Sequence, residues 1–213
     1  MVEVFVEKPP LRLDLAGGDN PAAGFECVDL YAPAARHRVN LFKFPWPWED
    51  NSVDEINCAH FIEHIPMVFV KSVEAVDTNG TTTCQLESSL GGEGFKDLWC
   101  AFFDECYRIL KPGGKMTVYT PHVQSVRAFQ DPTHRRFHSE ANFLYLDKTW
   151  REANKLTHYL GDCDFDVHID RIGPMEEQFR HPEAQMIRNI HYWNAVYDLK
   201  ATLVKHVKLE KKA

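Results

Sequence analysis

Two short stretches carry the residues best suited to chemistry. Leu13-Asp14-Leu15-Ala16-Gly17-Gly18-Asp19 ends an apolar run in a glycine-bearing turn, and Val28-Asp29-Leu30 ends a second run in a lone acid. Glycines let the backbone approach a ligand, and an acid on the next strand takes ribose hydroxyls, which is the chemistry of a nucleoside pocket. Histidines supply proton chemistry. His60, followed by Glu63 and His64, and His122, after Thr120-Pro121, fall where strands should end, while His134 and His138 lie in Asp131-Pro132-Thr133-His134-Arg135-Arg136-Phe137-His138. Each can act as a general base, and each serves equally plainly in packing or hydrogen bonding. Pro132 and Thr133 fix a turn, and the following His134 and arginines suit an anionic or polyhydroxylated ligand, or a solvated basic loop. The four-residue spacing of His134 and His138 holds a metal only on a helix, with His122 or Asp131 as a guess for the third ligand, so no metal site is assigned.

These residues need a scaffold of strands and helices. Leu11–Leu15, Glu26–Leu30, Arg38–Phe42, Val53–Ala59 and Met116–Tyr119 read as core strands, with Val2–Val6 as an edge strand or extended arm. Phe95–Leu110 carries Leu98, Phe102, Cys106 and Ile109 as a helical stripe that stops at Lys111-Pro112-Gly113-Gly114. Ser139 can cap a helix over Glu140–Lys155, and Asp164–Ile172 and Tyr197–His206 alternate as two late strands. Residues 71–94 form a loop-rich insertion and candidate lid, with a hairpin suggested at Asn79-Gly80. Strands alternating with helices and then paired late argue an α/β sheet with an antiparallel end. The stretch from Ala16 to Phe25 is too short for a helical crossover, so a loop or single turn must join the first two core strands.

Bulk properties narrow the function. The 213 residues suffice for one domain, and a net charge of -7 speaks against a duplex-binding surface, which needs clustered Lys and Arg. The six cysteines show no C-x-x-C pair, and Cys27, Cys58 and Cys100 read as buried reduced thiols. The N-terminus lacks a basic start and a long apolar run, and no stretch approaches the roughly 20 apolar residues of a membrane helix. A cytoplasmic protein without membrane or nucleic-acid partners is expected.

Taken in order, Leu13–Gly18, Glu26–Tyr31, Pro45–His64 and Glu105–Gly114 resemble the class I, Rossmann-like S-adenosylmethionine-dependent methyltransferases. The last two segments are the most specific, and the resemblance spans Leu11 to Pro121. It looks closest to a compact subgroup with a shortened first helix, often found beside sugar-processing enzymes, in which stretches like Asp131–His134 also occur. It implies one domain over 1–213. The sheet would be mostly parallel and seven-stranded, with an antiparallel C-terminal strand and helices on both faces, a three-layer α/β/α fold. It also implies S-adenosyl-L-methionine as cofactor. Asp14, Ala16, Gly17 and Gly18 then match the loop around its methionine part, Asp29 the acid on the ribose hydroxyls, and Leu30 the adenine face. Asn40 and Leu41 match the adenine edge, and Ala59 and His60 the strand end beneath the sulfonium. Two positions depart from the family pattern. Ala16 replaces the first glycine, unfavourable if its φ is positive, and Asn40 replaces an acid, though its amide oxygen still accepts a hydrogen bond.

Methyl transfer to a hydroxyl requires a base, and His60, His122 and His134 are the candidates. Segments 122–160 and 173–195 are placed as the acceptor-side cover. The aromatic runs Phe42–Trp48 and His191–Asn194 suit ring stacking or packing. The chain lacks G-x-G-x-x-G, which argues against a nicotinamide enzyme, and the Pro-Cys pair of a pyrimidine C5 enzyme; Ala59-His60-Phe61-Ile62 does not fit a DNA amino-methyltransferase. A small polar or glycan acceptor, methylated on oxygen or nitrogen, is expected. The alternative is a non-catalytic binding module with a degraded cofactor site, associated with a glycan-processing partner.

Overall fold

The computed structural model describes residues 9–76, 82–89, 95–157, 161–173 and 182–207. In chain order its elements are β1 (Arg12–Leu15), β2 (Glu26–Val28), β3 (Val53–Ala59), β4 (Phe69–Val76), β5 (Thr82–Ser89), β6 (Lys96–Asp97) and α1 (Leu98–Ile109). There follow β7 (Leu110–Pro121), α2 (Arg127–Gln130), α3 (Glu140–Leu144), α4 (Lys148–Ala153), β8 (Phe165–Ile172), α5 (Pro182–His191) and β9 (Asp198–Lys205). The main sheet has the order β2-β1-β3-β7-β9-β8. Its first four strands are parallel, and β9 runs antiparallel to both β7 and β8.

Register explains the core. Leu13 pairs with Ile56, Ile56 with Met116 and Met116 with Leu203, which puts all four on one face, and all are fully buried. Leu15, Cys58, Val118 and Ala201 repeat the row two residues on, equally buried. Helix α1 turns Phe102, Phe103, Cys106 and Ile109 into the same core, where each large side chain contributes about 1.5–3 kcal/mol of transfer free energy. Asp97 caps this helix by accepting the Trp99 N–H at 2.9 Å. Phe143 and Leu146, in and after α3, extend the layer.

The opposite face is polar. Cross-strand neighbours Arg12–Glu55 and Lys115–Glu55 pair at 3.4 and 3.0 Å, and Lys200 lies 4.0 Å from Asp170. The expected second helical layer is not found over this face among the described residues. Its cause is local: residues 16–25 and 29–52, which join β1 to β2 and β2 to β3, contain turns and bends but no helix. The first of these loops agrees with the short crossover read from the sequence.

Other expectations shift in detail. Described residues give six strands in the main sheet where seven are expected, because Arg38–Phe42 does not pair as a strand. A single bridge, His37 to Val28, is its only trace. As expected, the C-terminal strand β9 is the antiparallel one, and it lies next to the edge, so that β8 runs parallel to β7. The helix expected over Glu140–Lys155 is broken into α3 and α4: Ser139 forms a capping box with Asn142, and Asp147 restarts the helix by accepting from Trp150 N at 3.0 Å. Strands β4 and β5 pair antiparallel from Phe69↔Ser89 to Val76↔Thr82, and β6 joins them in a second sheet. The expected turn at Asn79-Gly80 and the arm at Val2–Val6 lie outside the described residues. Cys27, Cys58 and Cys100 are buried free thiols, as read from their surroundings.

Candidate active site

A cleft of about 320 Å³ opens near the C-terminal ends of β1 and β2, where open α/β sheets bind ligands. Ala16, Asp29, Leu30, Asn40 and Leu41 line it together with Tyr31, Val39, Phe42 and Phe61. Five of the residues proposed for the cofactor therefore converge on one cavity. Of the four additional lining residues, Phe42 opens the aromatic run read for ring stacking, and it meets Phe61 through a ring stack at 5.5 Å and 18°.

Asp29 organises this cleft. Its Oδ1 accepts the N–H groups of Tyr31 and Ala32 at 2.8 and 2.9 Å, and its Oδ2 accepts Gly18 N at 3.3 Å. Partial burial works against the charged carboxylate, but the donations from Ala32, Tyr31 and Gly18 outweigh it and hold the group below the usual carboxylate range. Asp29 is thus held in its anionic form.

The loop above β1 is shaped by close approach. A Cβ on Gly17 would stand 2.8 Å from Asp14 Oδ2 and 3.1 Å from Cys27 Sγ, so a larger residue would have to displace the buried Asp14 side chain. Ala16 has φ +56°, the left-handed region where an L-alanine costs about 1–2 kcal/mol. The first-glycine position is therefore one where glycine is the favoured residue. Asp14 is buried beneath the loop, not in the cleft: its oxygens accept Ala22 N and Asn57 Nδ2, each at 2.7 Å. It ties the loop to β3. Asn40 Oδ1 accepts Phe42 N at 2.9 Å, which leaves one lone pair for a ligand.

His60 caps the end of β3 just after Ala59, next to the cleft residue Phe61. It adopts φ +52°, held by its N–H to Tyr119 O at 2.8 Å, and its side chain is 42% exposed. Glu63, only 2% exposed, lies 3.4 Å from His60 Nδ1 and accepts Thr120 Oγ1 at 3.1 Å. Beside this carboxylate the imidazole titrates above its ordinary range despite partial burial. Glu63 itself is pulled below the usual range: its burial opposes this, but His60, its own backbone N–H and Thr120 prevail.

The other histidines lie elsewhere. His122 is buried, its Nδ1 accepting Gln124 N at 3.3 Å and its Nε2 3.5 Å from Glu140. His138 is buried against Trp99 and Phe143, 3.2 Å from Thr120 Oγ1. Residues 131–138 are not helical, so the four-residue spacing does not pair His134 with His138. His134 instead stacks edge-on with His64 at 4.7 Å.

Trp46, in the aromatic run, is core: it is 3% exposed and packs on Phe102 at 5.6 Å. Its backbone N–H donates to Glu105, which also pairs with Arg108 at 2.6 Å, and Arg108 reaches Asp50 at 2.7 Å. The motif around Asp50 and that around Glu105 are therefore two halves of one ion-paired joint. The run His191–Asn194 docks through Asn194 Oδ1, which accepts Val126 N at 2.6 Å, and this places Trp193 over Phe129, which in turn stacks on Phe137.

No family model matches the chain, and no curated protein matches it. Among solved structures it is similar to an S-adenosylmethionine-dependent methyltransferase from Archaeoglobus fulgidus, at 13% identity over 93% of this chain and 87% of that one, with a TM-score of 0.53. A second such enzyme, from Mesorhizobium loti, matches at 14% identity over 92% and 90%, TM-score 0.45. Phosphoethanolamine N-methyltransferase 2 from Haemonchus contortus, solved with S-adenosyl-L-methionine, matches at 16% identity over 94% of this chain and 50% of that one, TM-score 0.42. The first of these carries the comparison: the chain has the Rossmann-like α/β fold of an S-adenosylmethionine-dependent methyltransferase.

Proposed function

We propose that this chain is an S-adenosyl-L-methionine-dependent methyltransferase acting on a small polar or glycan-type acceptor. The observation that carries the reading is Asp29, fixed as an anion in a cleft at the strand ends. Leu30, Val39 and Leu41 offer apolar walls for an adenine, and Asn40 an acceptor at its edge. Gly17 and Gly18 let the loop approach the amino-acid end, and Asp14 holds that loop in place. When bound, the cofactor supplies a methyl group on a positively charged sulfur.

His60 is the base in this reading. It is solvent-accessible, stands at the strand end beside the cleft, and turns Nδ1 toward Glu63 at 3.4 Å, which leaves Nε2 to take a proton from an acceptor hydroxyl. Its left-handed backbone is the kind of local strain that persists where position matters. His122 is too enclosed to reach an acceptor, and His134 faces His64. The ladder Trp193, Phe129 and Phe137, each at least 41% exposed, supports a ring-shaped acceptor, since the apolar face of a sugar stacks on such surfaces. Segments 122–157 and 182–195 would then form the acceptor side of one domain.

Calorimetry with S-adenosylmethionine and S-adenosylhomocysteine tests the reading. Saturable binding of both, lost in Asp29→Ala, is expected. Absence of heat with either at high protein concentration would leave the non-catalytic binding module, which the left-handed Ala16 favours. Cofactor turnover with sugars, nucleotide-sugars and small phenols then identifies the acceptor.

A further inference from the structure

Glu63, His64 and His134 converge from two segments far apart in the chain. One ligand atom from each lies within 4.8 Å of the other two. Glu63 is 2% exposed, and its Oε1 has no well-formed hydrogen bond, the nearest cation being His60 Nδ1 at 3.4 Å. A buried carboxylate oxygen in that state has capacity for a further ligand.

Both imidazoles have the tautomer of a metal ligand. His134 Nδ1 lies 2.9 Å from Ala128 O, and a carbonyl only accepts, so this nitrogen carries the proton and Nε2 the lone pair. His64 Nδ1 lies 3.0 Å from Thr133 Oγ1, whose own proton goes to Asp131 Oδ1 at 2.7 Å. His64 Nδ1 is therefore the donor, and in the neutral ring the lone pair is on Nε2. An outer partner on the far nitrogen is how proteins orient and strengthen histidine ligands.

The backbone holds the two segments together. Arg135 N and Arg136 N both donate to Glu63 O, at 2.8 and 3.0 Å, and the Arg136 guanidinium bonds Ile65 O and Pro66 O at 2.9 and 2.8 Å. Tetrahedral bonds of about 2.0–2.1 Å place ligand atoms about 3.3 Å apart, so donor atoms that lie within 4.8 Å of one another draw together when an ion binds.

We propose that Glu63, His64 and His134 bind one divalent first-row transition-metal ion, with Zn²⁺ the best match. Two imidazoles and one carboxylate with an open fourth position is a zinc-type donor set, whereas Mg²⁺ and Ca²⁺ prefer all-oxygen ligands. Asp131 and Thr133 are positioning residues that act through His64.

The test uses untagged full-length protein freed of metal by a chelator, and it requires no cofactor, so its failure is distinct from failure of the methyltransferase reading. Zn²⁺ calorimetry should give one equivalent, and Co²⁺ should give visible bands of four-coordinate intensity. His64→Ala and His134→Ala should each weaken Zn²⁺ binding by about 100-fold or more, and Thr133→Val by about tenfold or more through loss of the outer partner. His168→Ala, on an exposed strand position, should change nothing. Circular dichroism checks the fold of each variant, and Thr133→Val remains decisive if an alanine variant unfolds. Absence of binding, or binding equally tight in the His64, His134 and Thr133 variants, overturns the proposal.

Discussion

Asp29 Oδ2 accepts the N–H of Gly18 at 3.3 Å, so the acid after β2 and the glycine loop after β1 form one unit. The same carboxylate takes two more N–H groups, from Tyr31 and Ala32. Replacing it by alanine would leave three donors without their acceptor. Asp29→Ala should cost about 1–3 kcal/mol in urea denaturation, as expected for losing such hydrogen bonds, and should weaken S-adenosylmethionine binding more than the stability loss explains. Asp29→Asn, which keeps an acceptor oxygen, should recover most of the stability and little of the binding.

Ala16 supplies the opposite kind of test. Its φ of +56° is relieved by glycine, at the cost of extra freedom in the unfolded chain. Ala16→Gly should therefore stabilise the protein by about 0.5–1 kcal/mol. Unchanged or lower stability in a urea melt would mean that the loop holds a different conformation.

The joint between α1 and the loop before β3 depends on Arg108, which pairs with Glu105 and Asp50 and donates to the carbonyls of Trp46 and Trp48. Arg108→Ala leaves Glu105, only 7% exposed, as a charge without its partner. A loss of about 2–3 kcal/mol follows, somewhat below the value for a fully buried pair because Arg108 is partly exposed. Chemical denaturation measures it directly.

His138 gives the stability a pH dependence. Burial pushes its pKa down to about 4, outweighing the attraction of Glu63. Between that value and the unfolded value near 6.5, the unfolded chain binds a proton that the native state refuses, so stability falls as the pH drops through this window. The loss should reach about 3 kcal/mol by pH 4. His138→Phe, in its setting of Trp99 and Phe143, should remove that contribution and leave those of His60, near neutral pH, and of the carboxylates, at lower pH.

Much of this was readable from residue order. Alternation and turn residues placed β1, β3, β8 and β9, and the stripe Leu98, Phe102, Cys106, Ile109 placed α1 within a few residues. Arg38–Phe42 misleads because Val39 and Leu41 are apolar in order to wall the cleft, while Asn40 turns the chain by bonding Phe42 N. Ala16 was visibly exceptional, but its backbone angle is a property of the folded loop. Asp14 looks like a ligand residue in the motif, yet its contacts with Ala22 and Asn57 exist only after β3 lies beside β1. The meeting of His64 and His134 is likewise set by tertiary structure, through the bonds of Arg135 and Arg136 to Glu63.

His60 should separate chemistry from binding. His60→Gln should lower kcat by about 100-fold with the acceptor found by screening, while cofactor affinity stays within a few-fold of the parent. Equal losses in both would place His60 in cofactor binding instead.

The central claim is that the cleft around Asp29 holds S-adenosylmethionine. Titrating the intact chain with S-adenosylmethionine in a calorimeter, beside Asp29→Ala, tests it most directly. One saturable equivalent that disappears in the variant is the predicted result. No heat with the parent protein, or the same isotherm with Asp29→Ala, would contradict it.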